Sequence, residues 1–459
     1  MPEAPNPPIR AFWRRIASLA GDDPAARFTA LAWLVMLALL VRQVLVYGTQ
    51  VPFNDDWIML AKLRPDEQFP AAWYWWVHNE HRIPLAKVAY VASVGGTHDI
   101  RAGTFVTVAL LAASAWLTVR MARRLRGRAH FTDAFFPLLW MNGAQSENVL
   151  NSFQLAFSIP AAIAVIGLVL LATGDERPGP GRVAMLALVA WAMPLTGGIG
   201  LPHSVAWMGW FALVYFSARR SVAAVDRWTG RIAVAALLGT LVITIGYFVD
   251  YTFLPGFRRP PPGLLVETAL QFLTRGVGET AVSLRATAPW VFAVLAVWAL
   301  WLLARARTES DTSYARAVGI SVVIVAMGGT ALAVGYGRAM DGDGAGLLER
   351  YGMVAAPMWC ALFAAACLAW SRRSGKLLAF VLFAISAASF LPNFRSGERE
   401  GTARRAKAEA FEADLVRGLS IDELAEKYWR DFYYSPDGFV LVLRDAEAAR
   451  IGPFDRADR

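Results

Sequence analysis

Two carboxylates stand side by side in Phe53-Asn54-Asp55-Asp56-Trp57, a few residues past the first strongly apolar stretch. An aromatic run then leads to His78-Asn79-Glu80-His81-Arg82. Ionisable groups are costly to keep where an apolar segment meets water, so these two clusters are the first place to look for chemistry. Desolvation at a low-dielectric boundary raises the basicity of a carboxylate. Asp55 or Asp56 is thereby suited to take a proton from a hydroxyl, while its neighbour holds an acceptor or a metal. The same pair can instead cap a helix, where Asn and Asp are favoured. In a helical register His78, His81 and Arg82 share one face at i, i+3 and i+4. That face, with Glu80 beside it, can orient phosphate or loop backbone. It can also join Asp55 or Asp56 around a divalent cation, although the sequence identifies no third protein ligand to accompany the two histidines. No other cofactor is implied.

Three more groups lie further along. Glu147 and Gln154 flank the polar break Asn142-Gly143-Ala144-Gln145-Ser146-Glu147-Asn148 and fall two turns apart on a continuous helix. They can hydrogen-bond a sugar or seal two helix ends. Non-helical backbone at membrane depth is tolerated only inside protein or against water, so this break is expected to face an aqueous cleft. Arg338 ends one apolar stretch and Arg350-Tyr351 begins the next. Guanidinium groups grip phosphate through paired donors, and a lipid phosphate lies at this depth; the alternative is snorkelling to ordinary headgroups. Arg42, inside the first apolar stretch, either snorkels or pairs with a carboxylate such as Glu147.

The elements that must position these residues follow from composition. Of 459 residues 56 % are hydrophobic and 18 % charged, against about 25 % charged in soluble domains. Roughly 20 apolar residues cross a hydrocarbon core. Such stretches recur near 28–47, 102–119, 154–173, 183–201, 203–218, 232–250, 288–304, 317–336, 352–370 and 376–391, with a shorter one near 131–147. The fold class expected is an all-α polytopic membrane protein of about 11 transmembrane helices. With the N-terminus inside, the short inner connections collect Arg10, Arg14, Arg15 and Arg27, then Arg120 to Arg128, Arg177 and Arg182, Arg219 to Arg231, Arg305 to Arg316, and Arg372 to Lys376. The longer outer loops hold fewer basic residues. This asymmetry satisfies the positive-inside rule and accounts for the net charge of +9, which makes nucleic-acid binding an unneeded explanation. Cys360 and Cys367 are two turns apart on one helix, about 10.5 Å, too far for a disulfide.

The organisation expected is a cytoplasmic segment over 1–27, proline-rich and disordered at its start, then a membrane domain over 28–391 and a small extracytoplasmic region over 392–459. The first apolar stretch is too long for a signal-peptide core and stays as an anchor. The outer loop at 49–101 carries Trp57, Trp73, Tyr74, Trp75 and Trp76, rings that settle at headgroup level, so interfacial helices are expected there. Another follows Phe257-Arg258-Arg259-Pro260-Pro261-Pro262. Met193 to His203 marks a tight outer hairpin. The glycine-rich loop from Arg338 to Arg350 lacks the oxygen ligands of a calcium loop and is expected to be a mobile lid. The tail combines amphipathic helices, one opened by the capping box Ser420/Glu423, with a short strand at Phe439-Val440-Leu441-Val442-Leu443, an α+β arrangement packed on the outer loops.

Together these residues resemble the GT-C superfamily of polyprenyl-phosphate-dependent glycosyltransferases. More narrowly, they look like bacterial members with an Asn-Asp-Asp-Trp motif, an Asn-Glu-His-Arg motif and a later Arg-Tyr at a helix start. The resemblance covers the first three spans by motif and the rest by topology. It implies inverting sugar transfer on the extracytoplasmic face of the bacterial cytoplasmic membrane, from a polyprenyl-phosphate-sugar donor to a glycan or lipid acceptor. By that likeness Asp55 or Asp56 is the base, and Arg338 or Arg350 holds the donor phosphate. No long soluble domain follows the last span, so a large protein acceptor is not expected. A flippase for lipid-linked saccharides is the alternative from another class, but charged midplane residues and internal repeats are missing. A non-catalytic cell-envelope membrane protein is the third.

Overall fold

The computed structural model describes residues 23–60, 62–63, 71–220, 223–252 and 258–456. The expected disorder at the N-terminus, with Arg10, Arg14 and Arg15, lies outside the described residues. The long helices are α1 (Pro24–Tyr47), α2 (Arg101–Arg126), α3 (Leu155–Ala172), α4 (Pro180–Ala192), α5 (Leu201–Arg219), α6 (Ala224–Phe248), α7 (Pro262–Thr274), α8 (Ala288–Ala306), α9 (Asp311–Arg338), α10 (Tyr351–Leu368), α11 (Arg373–Val416), α12 (Ile421–Phe432) and α13 (Pro436–Ala449). Among the described residues there is no β-strand, only an isolated bridge between His78 and His81.

Eight of these helices, α1, α2, α3, α6, α8, α9, α10 and α11, are long and apolar enough to cross a membrane, so the chain has the architecture of a multi-pass helical membrane protein. The count expected was about eleven. Residues 180–196 form a shorter apolar helix, α5 falls short of the same measure, and residues 131–149 are broken into four short helical pieces. At the break, Asn142 is extended and Ala144 leaves helical geometry, so the backbone there cannot continue one helix.

Helix α10 is the axis of the bundle, with 94 % of its apolar window buried. Its small residues Ala355, Ala356, Ala361, Ala364, Ala365 and Ala366 are all fully covered, and small side chains let neighbouring helices approach closely where no hydrophobic effect drives them together. Helices α2, α3, α8, α9 and α11 pack around it. Helix starts follow ordinary capping chemistry. Asp23 accepts the Ala25 N–H ahead of Pro24, Ser310 accepts from Ser313, and Ser435 caps α13 ahead of Pro436.

The connections sort to two ends. At one end Arg126 pairs with Asp133 at 2.5 Å, the His130 ring lies 4.8 Å from Trp370, Arg316 donates to the Gly174 carbonyl, and Arg372 pairs with Glu309. At the other end the first loop, the polar break, the segments after α6 and α9, and the C-terminal helices meet. The hairpin expected at 193–203 is present, closed by the Gly200 N–H on the Gly197 carbonyl. In the loop expected to be a lid, Ala345 and Leu347 are buried and Gly346 packs against the backbone of α7.

The C-terminal strand expected at Phe439–Leu443 is instead the middle of α13. Phe439, Val442, Leu443 and Ala446 are buried on one side of that helix, a helical period, whereas a short apolar run by itself cannot be told from a strand. Pro392 does not end the last spanning helix either, because α11 runs on through it to Val416. The end of α11 joins α12, α13 and the first loop in a second hydrophobic core built on Trp57, Phe411, Leu424, Phe439 and Leu443.

Candidate functional site

Asn54 takes a left-handed backbone, φ 49°, a conformation Asn tolerates better than most residues, and this turns the chain into the short helix Asp55–Leu60. Its N–H is held by the Phe432 carbonyl at the end of α12. The second cluster is not helical. His78 and His81 exchange backbone hydrogen bonds at 2.7 and 2.9 Å across a turn in which Asn79 is also left-handed, φ 51°. Pro84 keeps Ile83 out of the helical region. The helical face expected to join His78, His81 and Arg82 therefore does not form. The turn nevertheless sets His78 Nε2 3.3 Å from Asp55 Oδ1, and Asn79 Nδ2 donates to the same oxygen at 3.4 Å. Tyr434, in the turn between α12 and α13, lies within electrostatic reach of the Asp55 carboxylate.

Glu80 faces the end of α9, where it pairs with Arg338 and stands 3.7 Å from His81 Nε2. The Tyr247 hydroxyl is 3.4 Å from His81 Nδ1. Burial lowers the His81 pKa, favouring the neutral imidazole. Arg338 lies within electrostatic reach of Arg350 and Tyr351, and Arg350 lies within reach of Tyr434. Glu147 completes this side. Its Oε1 accepts from Arg350 Nη1 and from Gln154 Nε2, both at 3.4 Å, and its Oε2 accepts the Arg350 backbone N–H at 3.2 Å. Asp55, His78, Glu80, His81, Glu147, Gln154, Arg338, Arg350 and Tyr351 thus come from four stretches of sequence to one end of the bundle. The side chains of Asp55, Glu80 and Glu147 are each about one-sixth exposed and those of Arg338 and Arg350 about one-third.

Two of the expected site residues do other work. The Asp56 carboxylate is 1 % exposed and turned away from its neighbour, accepting the Ser152 N–H at 3.1 Å and the Phe153 N–H at 2.7 Å. It holds the start of the helical turn Ser152–Gln154, so both of its carboxylate oxygens are taken up by the backbone of a distant element. Burial pushes it up to about 7 against the pull of those two donors. Arg82 is buried and donates to the carbonyls of Tyr247, Trp75 and Val249, tying the C-terminal end of α6 to the first loop. A cation suits that negative helix end. Arg42 pairs with a carboxylate, as one of the two expectations had it, but the partner is Glu398 at 2.6 Å and not Glu147, and Tyr47 donates to the same carboxylate. Among the described residues no group of three or more His, Cys, Asp and Glu side chains is arranged to hold a metal ion.

The sequence did not single out four residues the site uses. Glu349 accepts the Glu147 N–H at 3.0 Å, and burial pushes its carboxyl up to about 7. Arg275 is 2 % exposed, stands 3.9 Å from Glu279, and acts electrostatically on Glu349 and Glu147. Arg404 on α11 donates to the Leu150 carbonyl and lies 4.0 Å over the Phe53 ring. Tyr434 carried no signal beyond an aromatic pair before a capping serine. The polar break is buried in protein: Asn142, Gln145, Asn148 and Gln154 are all covered and each keeps one side-chain atom without a partner. A small cavity between α1 and α11 is lined by Gln43, Glu398 and Gly143 of the polar break, and Asp55 does not line it.

The described architecture defines a multi-pass helical membrane protein with a cluster of ionisable groups at one end of its bundle. No protein-family model, no curated protein and no solved structure matches the chain.

Proposed function

We propose that this protein is a membrane glycosyltransferase of the GT-C type. It moves a sugar from a polyprenyl-phosphate donor to a glycan or lipid acceptor, with inversion, at the extracytoplasmic face of a bacterial cytoplasmic membrane. The observation that carries this is the gathering, at one end of the bundle, of a partly open carboxylate, Asp55, beside His78 and of the ion pairs Arg338–Glu80 and Arg350–Glu147. Asp55 takes the proton of the acceptor hydroxyl as its oxygen bonds to the anomeric carbon. The bond from that carbon to the phosphate oxygen breaks with its electron pair going to the leaving lipid phosphate. Arg338 and Arg350 hold that phosphate. A guanidinium offers five N–H donors, so pairing with Glu80 or Glu147 leaves it donors for a phosphate oxygen. Glu80 and Glu147 fix the two arginines, which keeps them aimed at charge as it develops.

The same placement assigns His78 and Asn79 to orienting Asp55, and Gln154 with Glu147 to sugar hydroxyls or to Arg350. The two buried carboxylates Asp56 and Glu349 hold backbone. Assay of membranes carrying the full-length protein with undecaprenyl-phosphate [¹⁴C]hexoses and pentoses tests the proposal. Transfer by the wild type that is lost in Asp55→Asn supports it, and equal transfer in both excludes Asp55 as the base.

A further inference from the structure

The turn between α12 and α13 enters the site from the far end of the chain. Its backbone is extended at Tyr433 and at Ser435, so successive side chains there point to opposite sides. Tyr433 points inward and stacks on Phe439 with centroids 5.7 Å apart and planes 15° apart. Tyr434 points outward, is 56 % exposed and lies within electrostatic reach of Asp55. Both ends of the turn are pinned. The Asn54 N–H holds the Phe432 carbonyl at 2.8 Å, and Ser435 Oγ accepts the Gly438 N–H at 3.2 Å. Beneath it Trp57 and Phe439 meet edge to face at 5.3 Å, so the turn stands on the core it shares with the first loop.

An exposed aromatic face fixed beside a carboxylate suits a ligand that is apolar on one side and hydroxylated at its edge. Tyr carries both an apolar ring and a polar tip, and its rigidity costs little conformational entropy on binding. We infer that Tyr434 forms the acceptor side of the site and that the acceptor is a carbohydrate. Its ring lies against the Tyr434 face and one of its hydroxyls points to Asp55. This rests on the proposed transferase activity for the reaction but makes its own claim about binding. The C–H face of a sugar ring packs on the aromatic ring, while His78 and Asn79 stand at the Asp55 carboxylate. The C-terminal helices then belong to the site and are not an appendage to the membrane domain.

Equilibrium dialysis tests the inference, using purified full-length protein in nanodiscs and a panel of ¹⁴C-labelled tetrasaccharides, with no donor present. At least one tetrasaccharide is expected to bind the wild type and Tyr434→Phe with similar affinity, and Tyr434→Ala and Tyr434→Leu at least tenfold more weakly. In transfer assays Tyr434→Phe is expected to keep the acceptor KM, since it retains the ring, and Tyr434→Ala to raise it. Thermal unfolding that matches the wild type in either the Ala or the Leu variant shows that the fold is intact. Wild-type binding in a folded Ala or Leu variant overturns the inference, as does an absence of tetrasaccharide binding by the wild type. Tetrasaccharide binding without any transfer would end the transferase proposal and leave the carbohydrate site standing.

Discussion

Replacing Asp56 by alanine separates scaffolding from chemistry in the adjacent carboxylates. The side chain accepts two backbone N–H groups from the turn Ser152–Gln154, a region where Ser152 is fully buried. The Phe153 N–H retains Asn151 Oδ1 at 3.0 Å after the substitution, so the main loss falls on the Ser152 N–H. One buried donor left without an acceptor costs about 1–3 kcal/mol, and that turn leads directly into spanning helix α3. The pH dependence follows from burial, which raises Asp56 from 3.8 to about 7. A carboxyl raised in the folded state contributes most below its unfolded value, and that contribution is lost as pH rises through the folded value. The gap between wild type and Asp56→Ala should therefore be wider at pH 5 than at pH 8. Tryptophan-fluorescence thermal unfolding in detergent across that range measures it. A gap that widens toward pH 8 would show that the two N–H groups hold Asp56 as an ion, contrary to the burial-dominated account. Protein that remains folded should keep its turnover.

Arg82→Ala removes three donated hydrogen bonds to the Tyr247, Trp75 and Val249 carbonyls. A loss of at least about 2 kcal/mol is expected, given about 1.5–3 for a hydrogen bond to a charged group. The same unfolding assay reads it, and an unchanged midpoint would contradict the tether between α6 and the first loop. Cys360 and Cys367 are at most 1 % exposed. Maleimide should label neither thiol in the folded protein and both after denaturation, and rapid native labelling would disprove the packing of α10.

The spanning helices were legible because the apolar stretches are long and their boundaries carry arginine. The segment 131–149 was harder, since its apolar first half and polar second half form short helical pieces that break at Asn142 and Ala144. In the candidate site the residue types were legible and the pairings were not. Arg42 meets Glu398 and Glu147 meets Arg350 across separations of 356 and 203 residues, which no local spacing encodes. Asp55 and Asp56 looked equivalent because neighbours on a helix differ by about 100° in direction, enough for one to face the cluster and the other the protein interior. The His78–Arg82 cluster was assigned a helical face, whereas left-handed Asn79 makes a turn that brings the two histidines together by another route. Phe439 to Leu443 was read as a strand because five consecutive apolar residues have no visible period. Tyr434 could be found only once the tail had a place to dock.

The most direct test of the central claim is the rate of sugar transfer by Asp55→Asn in membranes supplied with undecaprenyl-phosphate [¹⁴C]sugars, beside wild type and folded Asp56→Ala. A general base contributes roughly 10²- to 10⁴-fold, or about 3–5 kcal/mol of barrier. Asp55→Asn is expected to lose turnover on that scale with its thermal unfolding unchanged, and Asp56→Ala to keep it. Full turnover in Asp55→Asn would contradict the account.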